Sequence, residues 1–269
     1  MQSLVSRAQQ LLQQQPDAPF AVYSSVREQV LLNVPVVKPL LVCVADGCKQ
    51  LGDRAEISCT AGHFVFLPGS GRINMRNIPA QSRYRALLME FEADDFVALD
   101  AGPAVAIDQP PAGIIDELLL HSLQQYIDWS VQVPAALLSL RRQEILRLLQ
   151  WQGYHGLTSL VRAPSLSQRL HQLIREQPAA DHTAASLGRQ LAMSEATLHR
   201  RLKAENTRLQ DIKDGARLGL ALHWLQTGND AVSRIAENCG YVSPSRFSEK
   251  FRQQFGLTPS ELRKTRLME

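Results

Sequence analysis

The sequence predicts an α+β protein in two parts, a strand-rich N-terminal half that ends in two helices and an all-α C-terminal half. Short apolar runs separated by turn residues occupy 21–92, helical periodicity occupies 113–127 and 135–151, and the region after 164 contains one short module twice. A length of 269 residues is enough for two domains that each have a hydrophobic core.

The N-terminal half begins with a polar stretch, residues 1–15, which predicts a short helix or a partly disordered segment. Continuous apolar runs at 40–44 and 64–67 are typical of buried strands, and 85–91 predicts a further strand. Gly-containing turns separate these runs. Short strands at this spacing favour a sandwich or a small β-barrel.

Two helices are expected next, over 113–127 and 135–151, with Pro134 suited to the first turn of the second helix. We interpret their Leu-rich stripe as intramolecular core, with a homodimer interface as the alternative. Segment 156–164 is predicted to be a linker. The chain therefore divides into an effector-binding and dimerisation domain, 1–155, and a second domain, 165–269.

The composition narrows the class of protein. No apolar run reaches the ~18 residues of a membrane span, and the N-terminus lacks the features of a secretory signal, so we expect a cytoplasmic protein without a membrane partner. Cys43, Cys48 and Cys59 do not have the close spacing of zinc ligands, and we expect them to be buried as small apolar residues.

The repeated module is the most informative feature of the chain. One copy covers 187–202 and the other 235–251, and each predicts a short helix, a tight turn at a small residue and a second helix with a basic outer face. This is the pattern of a helix-turn-helix, whose second helix can enter the major groove of DNA. Aligning the copies pairs two turn residues and two N-cap residues: Ala192 with Gly240 and Ser194 with Ser243.

Other signals mark where the helices of the repeats begin. Pro244 suits the first position of the second recognition helix, and Thr183 and Asp230 are expected to cap the first helix of each copy. Between the copies, residues 211–226 predict a long linker helix.

The helical period also predicts which side chains face DNA. Leu198 and Leu202 in one copy, and Phe247 and Phe251 in the other, are i, i+4 pairs that must face inward. The outward side chains are the candidate DNA-binding residues: Ala196, His199, Arg200, Lys203, Ser245, Arg246, Glu249 and Lys250.

The chemistry of this set fits base edges and phosphates. Arg can bind guanine O6 and N7 in a bidentate way, His can donate to an acceptor, Glu can accept from cytosine N4, and Ala or Ser can pack on a thymine methyl group. The remaining basic residues suit phosphate. The alternative is an ordinary solvated helix face. Residues 164–269 contain 16 Lys and Arg against 11 Asp and Glu, a net charge of +5, whereas 1–163 have a net charge of −2.

An ordered set of motifs runs through 166–264. It comprises Leu187-x3-Leu191-Ala192-Met193-Ser194, Arg217-x3-Ala221-x3-Leu225, Ile235-Ala236-x3-Gly240-Tyr241-x5-Phe247-x3-Phe251-x3-Phe255-Gly256 and Thr258-Pro259-Ser260-Glu261. In these positions the chain resembles the arabinose-regulator (AraC/XylS) family of bacterial transcription regulators. The resemblance implies that two helix-turn-helix units, joined by the linker helix, read successive major-groove segments.

The resemblance also assigns roles by position. It implies base-facing roles for Ala196, His199 and Arg200 in the first recognition helix and for Ser245, Arg246 and Glu249 in the second, and a structural role for Arg217, which would tie the two halves together. The chain departs from the family pattern at three positions: Asn206 replaces a common Gly, Leu209 replaces a common Pro, and Glu249 replaces a common Arg. A carboxylate beside phosphates weakens binding unless it meets a cytosine amine, so Glu249 could instead pair with Lys250 or Arg246.

For the N-terminal half, the resemblance implies a cupin-like β-barrel followed by dimerising helices. The paired-histidine metal motif of enzymatic cupins is missing because His63 stands alone, so we expect no metal, no cofactor and no enzyme activity. An anionic effector could use the basic stretch of Arg72, Arg76, Arg83 and Arg85; the alternative is that these are solvated surface residues.

The expected function is therefore sequence-specific DNA binding that regulates transcription, with double-stranded DNA as partner. A small-molecule effector, RNA polymerase and a second copy of the chain stay open as further partners. Two alternatives stay open as well. One is a cupin-type enzyme or Cys-based DNA-repair protein fused to a DNA-binding module, and the other is a nucleoid protein that binds DNA without sequence choice.

Overall fold

A computed structural model describes residues 1–69, 71–97, 99, 109–154, 157 and 164–266. The chain forms two compact units: one comprises Met1–Val30, Lys38–Arg162 and Thr265–Glu269, and the other comprises Leu31–Val37 and Ala163–Lys264. The predicted linker, 156–164, falls outside the described residues except for Leu157 and Pro164. Among the helices described, none combines the length and apolarity that a membrane span requires.

The N-terminal half contains helices, strands and one short 3-10 helix (Ala93–Phe96). Its helices are α1 (Gln2–Gln14), α2 (Glu117–Ser130) and α3 (Ala135–Trp151). Its strands are β1 (Ala21–Ser25), β2 (Gln29–Pro35), β3 (Leu40–Asp46), β4 (Cys48–Leu51), β5 (Ile57–Thr60), β6 (His63–Leu67), β7 (Arg72–Ile78), β8 (Tyr84–Glu90) and β9 (Ala112–Ile114).

The strands form two hydrogen-bonded sheets and not the closed barrel that the family resemblance implied; the strand pattern alone had left a sandwich open as well. One sheet has the order β1-β8-β3-β6-β9 and the other β2-β7-β4-β5. The chain passes from the first sheet to the second at Gly47, which has φ of +80° and lies between β3 and β4. A side chain there would come within 2.5 Å of the Ile78 carbonyl oxygen, so this sharp transition requires glycine. The α+β class and the order of strands then helices are confirmed.

The core of this half lies between the five-stranded sheet and the helices. The Phe66 ring is tilted against Phe91 and meets Phe96 edge to face, at ring-centroid distances of 5.3 and 6.2 Å, and the cluster extends to α1, α2 and α3. Of the two predictions for residues 1–15 the short helix is confirmed, and α1 buries one narrow apolar stripe in this core: Leu4, Val5, Ala8 and Leu11.

The helix predicted over 113–127 begins later than expected. Ala112–Ile114 forms a strand that pairs with β6, and α2 starts only after Asp116, whose carboxylate accepts a hydrogen bond from the Leu119 amide at 2.9 Å. The prediction was wrong at this end because, in sequence alone, a three-residue strand followed by a capping turn resembles the first turn of an amphipathic helix. The predicted helix over 135–151 matches α3.

The C-terminal half is all helical, as predicted. Its helices are α4 (Leu166–Glu176), α5 (Ala184–Gln190), α6 (Glu195–Ala204), α7 (Leu209–Thr227), α8 (Val232–Asn238), α9 (Pro244–Phe255) and α10 (Pro259–Thr265). The first repeat corresponds to α5 and α6, the second to α8 and α9, and α7 is the linker helix.

Most of the predicted helix starts are confirmed. Thr183, Ser194 and Ser243 accept hydrogen bonds from the amides of residues three positions later, at 3.0, 3.2 and 3.4 Å. Asp230 was wrongly assigned as a cap, because α8 starts one residue later and Ala231 occupies the N-cap position without a side-chain bond. Asn206 has φ of 53°, so it takes the left-handed conformation that glycine often supplies.

Candidate nucleic-acid interface

The two helix-turn-helix units form their turns with the same backbone conformation. Ala192 and Gly240 both have positive φ, 53° and 78°. In the first turn the Met193 amide donates to the Gly188 carbonyl at 2.9 Å, and in the second the Tyr241 amide donates to the Ala236 carbonyl at 2.9 Å. The sequence alignment of the two turns is therefore correct at the level of individual hydrogen bonds.

The first recognition helix, α6, is anchored by apolar residues on one side only. Leu198 and Leu202 are 0% and 1% exposed and pack in a cluster with Leu187 and Ala216. The opposite face is exposed, and it carries four of the predicted DNA-binding residues: Ala196, His199, Arg200 and Lys203. The inward and outward assignments agree with the helical period.

The second recognition helix, α9, is anchored by a row of three aromatic rings in tilted and edge-to-face contact. Phe247, Phe251 and Phe255 are fully buried, with neighbouring ring centroids 5.8 and 4.7 Å apart. Its outer face exposes Ser245, Arg246 and Glu249. This buried aromatic row fixes the rotation of α9 about its axis, and with it the direction of the outer side chains.

Two predicted residues of α9 have partners within the protein. The Lys250 ammonium is half-buried and forms an ion pair with the Asp214 carboxylate on α7. Glu249 accepts a hydrogen bond from Gln253 Nε2 at 3.3 Å, one turn further along the helix. Neither Lys250 nor Arg246 pairs with Glu249 in the described structure, so the surface pairing expected for Glu249 involves a different neighbour.

The remaining basic residues of the two faces are available to a ligand. Over the described part of the chain, Arg200, Lys203 and Arg246 are exposed and form no ion pair or hydrogen bond through their side chains. Ionic groups with no competing carboxylate can approach a phosphate or base without first breaking an internal contact.

A groove of about 790 Å³ beside α6 adds residues that the sequence analysis missed. His199 and Lys203 of α6 line it together with Arg208 and Lys213, which lie at the start of α7, and His182. The signal was present in the sequence as basic residues directly after the end of the recognition helix. It was missed because the linker helix was considered only for its apolar side.

The N-terminal unit contains a buried cation. Lys49 is 3% exposed, and its Nζ donates to Asn77 Oδ1 at 2.8 Å and to Met75 Sδ at 3.2 Å. Desolvation lowers the pKa of Lys49 from 10.5 to about 8, against a smaller opposing effect of Cys59. No carboxylate among the described residues lies within ion-pair distance of this ammonium.

The basic stretch considered for an anionic effector is largely neutralised by internal carboxylates. Arg85 is buried and donates to Asp46 at 2.6 Å, Arg83 lies 3.5 Å from the same carboxylate, and Arg76 pairs with Glu28. These residues therefore offer less free charge than the sequence suggested. Lys49 was missed because an isolated lysine in a strand has no sequence signal that separates burial from exposure.

His63 and the cysteines have surroundings typical of residues with a structural role. His63 Nδ1 lies 3.2 Å from both Thr60 Oγ1 and the Ala61 carbonyl oxygen. Cys43 and Cys59 are buried, as expected, and Cys239 is buried too, whereas the expectation was wrong for Cys48, which is only partly buried. The described residues contain no cluster of three or more His, Cys, Asp or Glu side chains that could hold a metal ion.

Comparisons with known proteins agree with this geometry. Residues 187–265 match the family model described as a helix-turn-helix domain. The transcriptional regulator GadX of Escherichia coli (strain K12) is 31% identical over 98 residues, which are 36% of this chain and 36% of GadX. The transcriptional activator RhaS of Escherichia fergusonii is 32% identical over 161 residues, which are 56% of this chain and 57% of RhaS. The match thus covers about a third of GadX and little more than half of RhaS.

Crystal structures of ToxT from Vibrio cholerae share the fold of nearly the whole chain. An apo form has a TM-score of 0.66 at 14% identity, covering 92% of this chain and 97% of ToxT. A form with bound unsaturated fatty acid has a TM-score of 0.64 at 13% identity, covering 93% and 96%. The geometry and the matches together define the C-terminal half as a DNA-binding domain with two helix-turn-helix units. Residues 187–265 therefore form a helix-turn-helix domain, as the repeated module predicted.

Proposed function

We propose that this protein is a sequence-specific DNA-binding regulator of transcription that reads two successive major-groove segments with one chain. The observation that carries this proposal is the pair of recognition helices in one compact unit, each anchored by buried residues and exposing a face with free basic groups. The matched relatives GadX and RhaS, both named transcriptional regulators, support it.

We assign roles by side-chain chemistry and exposure. Arg200 and Arg246 are the groups best suited to guanine, His199 donates to a base acceptor, and Ala196 and Ser245 pack against thymine methyl groups. Lys203, with Arg208 and Lys213 in the adjoining groove, neutralises phosphates. Glu249 remains a candidate partner for a cytosine amine.

A binding selection from a random DNA library, made with the full chain, tests the proposal. We expect enrichment of one bipartite site whose two halves differ in sequence. We also expect affinity for that site to exceed affinity for random DNA by at least ~10³ at physiological salt. A ratio near one would instead indicate a nucleoid protein that binds without sequence choice.

We further propose that the N-terminal unit binds an organic acid that regulates DNA binding, with Lys49 as the group that recognises the carboxylate. The Lys49 ammonium donates to one amide oxygen and one thioether sulfur and lies 5.8 Å from the centroid of the Tyr84 ring. None of these groups carries a full negative charge, so a carboxylate would supply the missing charge partner. The bound fatty acid in one ToxT structure supports this ligand class.

A long-chain unsaturated fatty acid and its methyl ester form a matched pair of probes. We expect the acid to raise the melting temperature of the full chain and to change its affinity for DNA, and the ester to do neither, because only the acid can pair with Lys49. Lys49→Met should abolish the response to the acid. Equal shifts from acid and ester, or an unchanged response in the variant, would refute this role.

Other roles follow from the same proposal. The α2–α3 surface exposes Leu140 and Trp151 at 59% and 73%, which favours a homodimer through this face, and Trp151→Glu should shift a dimer to a monomer in light scattering.

Run-off transcription with RNA polymerase would show whether bound protein activates or represses. We place this activity in the bacterial cytoplasm, where the DNA is.

We propose that the chain has no enzyme activity, as its relatives are regulators. Burial raises the pKa of Cys59 and of Cys239 to about 12, with smaller opposing effects of Lys49 and Arg217 respectively, and burial raises that of Cys43 further. Because the reactive form of cysteine is the thiolate, these thiols are poor nucleophiles for Cys-based DNA repair.

A further inference from the structure

Three separate segments of the DNA-binding unit meet at one guanidinium. Arg217, on the linker helix α7, donates from Nε to the Pro178 carbonyl at 2.8 Å and from Nη2 to the Ala180 carbonyl at 3.1 Å. Both carbonyls belong to the loop between α4 and α5, which leads into the first helix-turn-helix. One side chain thus holds the linker helix to the first motif.

The second motif reaches the same place through its turn. A Cβ atom at Gly240 would lie 2.9 Å from the Pro178 carbonyl oxygen, 3.1 Å from Ala179 Cα and 3.2 Å from Arg217 Cζ. The turn of the second helix-turn-helix is therefore in close contact with both the loop of the first motif and the guanidinium that binds it. Only glycine allows the three segments to approach so closely.

A second link joins the same stretch of α7 to the second recognition helix. Asp214, one helical turn before Arg217, forms the ion pair with Lys250 on α9. Ala216 packs in the cluster that contains Leu187 and Leu198 of the first motif. Residues 214–217 of the linker helix therefore contact the elements that support both recognition helices.

We propose that this junction of Arg217, Gly240 and the Pro178 and Ala180 carbonyls determines which distance between the two DNA half-sites the protein accepts. The inference rests on the proposed function. Inserting one base pair between the half-sites moves one of them by about 3.4 Å along the DNA and rotates it by about a tenth of a turn. A shift of the first motif relative to α7 would break the 2.8 and 3.1 Å hydrogen bonds, and a shift of the second motif would separate Gly240 from the Pro178 carbonyl and the Arg217 guanidinium. A rigid junction thus excludes altered spacings.

The experiment compares the selected site with versions that carry one base pair more or less between its halves. We expect the wild-type full chain to lose about tenfold or more in affinity for either altered spacing, which corresponds to about 1.4 kcal/mol. Arg217→Lys retains the charge but loses the planar fork from which Nε and Nη2 donate to the two carbonyls. We expect it to weaken binding to the original spacing and to reduce the spacing penalty to less than about threefold.

The control is Tyr241→Phe, in the same turn. The Tyr241 hydroxyl has no hydrogen-bond partner among the described residues, so the variant should keep the wild-type spacing penalty. Wild-type protein that tolerates an altered spacing would overturn the proposal without any variant. So would an Arg217→Lys protein that loses the same factor at every spacing, because that result indicates a general role in stability. If the selection finds no preferred sequence, the proposed function itself fails.

Discussion

The two helix-turn-helix motifs reach the same turn conformation with different residues, and the difference shows which contacts each motif serves. In the first motif the positive-φ position is Ala192, and the position that admits no side chain is Gly188, where a Cβ would lie 2.7 Å from the Met193 carbonyl oxygen. In the second motif glycine stands at the positive-φ position, Gly240, and alanine at the equivalent of Gly188, Ala236. The first glycine serves packing within its motif, whereas the second serves packing against a different motif.

The largest expected effect is that of Gly240→Ala. The new methyl group meets a backbone carbonyl and a bound guanidinium at a left-handed position, so we expect a loss of about 2–3 kcal/mol in the free energy of unfolding. The matched change, Ala192→Gly, relieves a left-handed alanine and should alter stability by less than about 1 kcal/mol. Urea denaturation of both variants measures the difference. Effects of equal size and opposite sign would show that φ alone, and not the contact with Pro178, governs the second turn.

A smaller effect is expected on the salt dependence of DNA binding, and it should differ between the two lysines of the recognition helices. Lys203 is exposed and unpaired among the described residues, whereas Lys250 is held by Asp214. Because each phosphate contact contributes about 0.9 to the slope of log affinity against log salt, Lys203→Ala should reduce the magnitude of that slope by about one. Lys250→Ala should leave the slope unchanged and lower the melting temperature. A reduced slope for Lys250→Ala would mean that Lys250 leaves Asp214 to bind phosphate, as the sequence analysis predicted.

The smallest effect concerns the first helix of each motif. Thr183 caps α5 through its hydroxyl, but Ala231 at the start of α8 has no such group. Thr183→Ala should cost about 1 kcal/mol, and Ala231→Ser should gain up to about that amount. Thermal melting of the two variants would show opposite shifts. A loss of stability in Ala231→Ser would mean that this N-cap position is constrained by packing rather than by its missing bond.

In the N-terminal unit, the pH dependence of the free energy of unfolding tests the burial of Lys49. The pKa of Lys49 is lowered to about 8 in the folded protein from 10.5, so between these values the unfolded chain binds the proton and the folded chain does not. The free energy of unfolding contributed by Lys49 therefore increases as pH rises above about 8. Raised pKa values of buried Cys59 and Tyr84 act in the opposite sense, so the quantity to measure is wild type minus Lys49→Met. A difference that does not change from pH 7 to pH 10 would contradict a buried, titrating Lys49.

The repeat and its recognition faces could be predicted because local chemistry determines them. The i, i+4 pair Leu198 and Leu202, the cap Ser243 and the small turn residue Ala192 all act within a few residues of their partners. The division of the strands into two sheets could not be predicted in this way. The chain passes between the sheets at Gly47, which contacts the distant Ile78, and the same strand pattern fits either a barrel or two sheets.

The sequence did not reveal the residues that carry the finer proposals, because their contacts are with residues far away along the chain. Lys49 is buried by strands that lie elsewhere in the sequence, and Arg217 binds carbonyls almost forty residues away, which have no side-chain signal. The Lys250–Asp214 ion pair likewise spans two helices. The helical period showed only that Lys250 lies outside the buried aromatic row of α9.

The most direct test of the central claim, that each recognition helix reads its own half of an asymmetric site, is a repeat of the binding selection with Arg200→Ala and Arg246→Ala. Each variant should lose about 1–3 kcal/mol in binding and relax base preference at one position, with the two positions in different halves of the site. A uniform loss across all sequences, or relaxation at the same position in both variants, would contradict the claim.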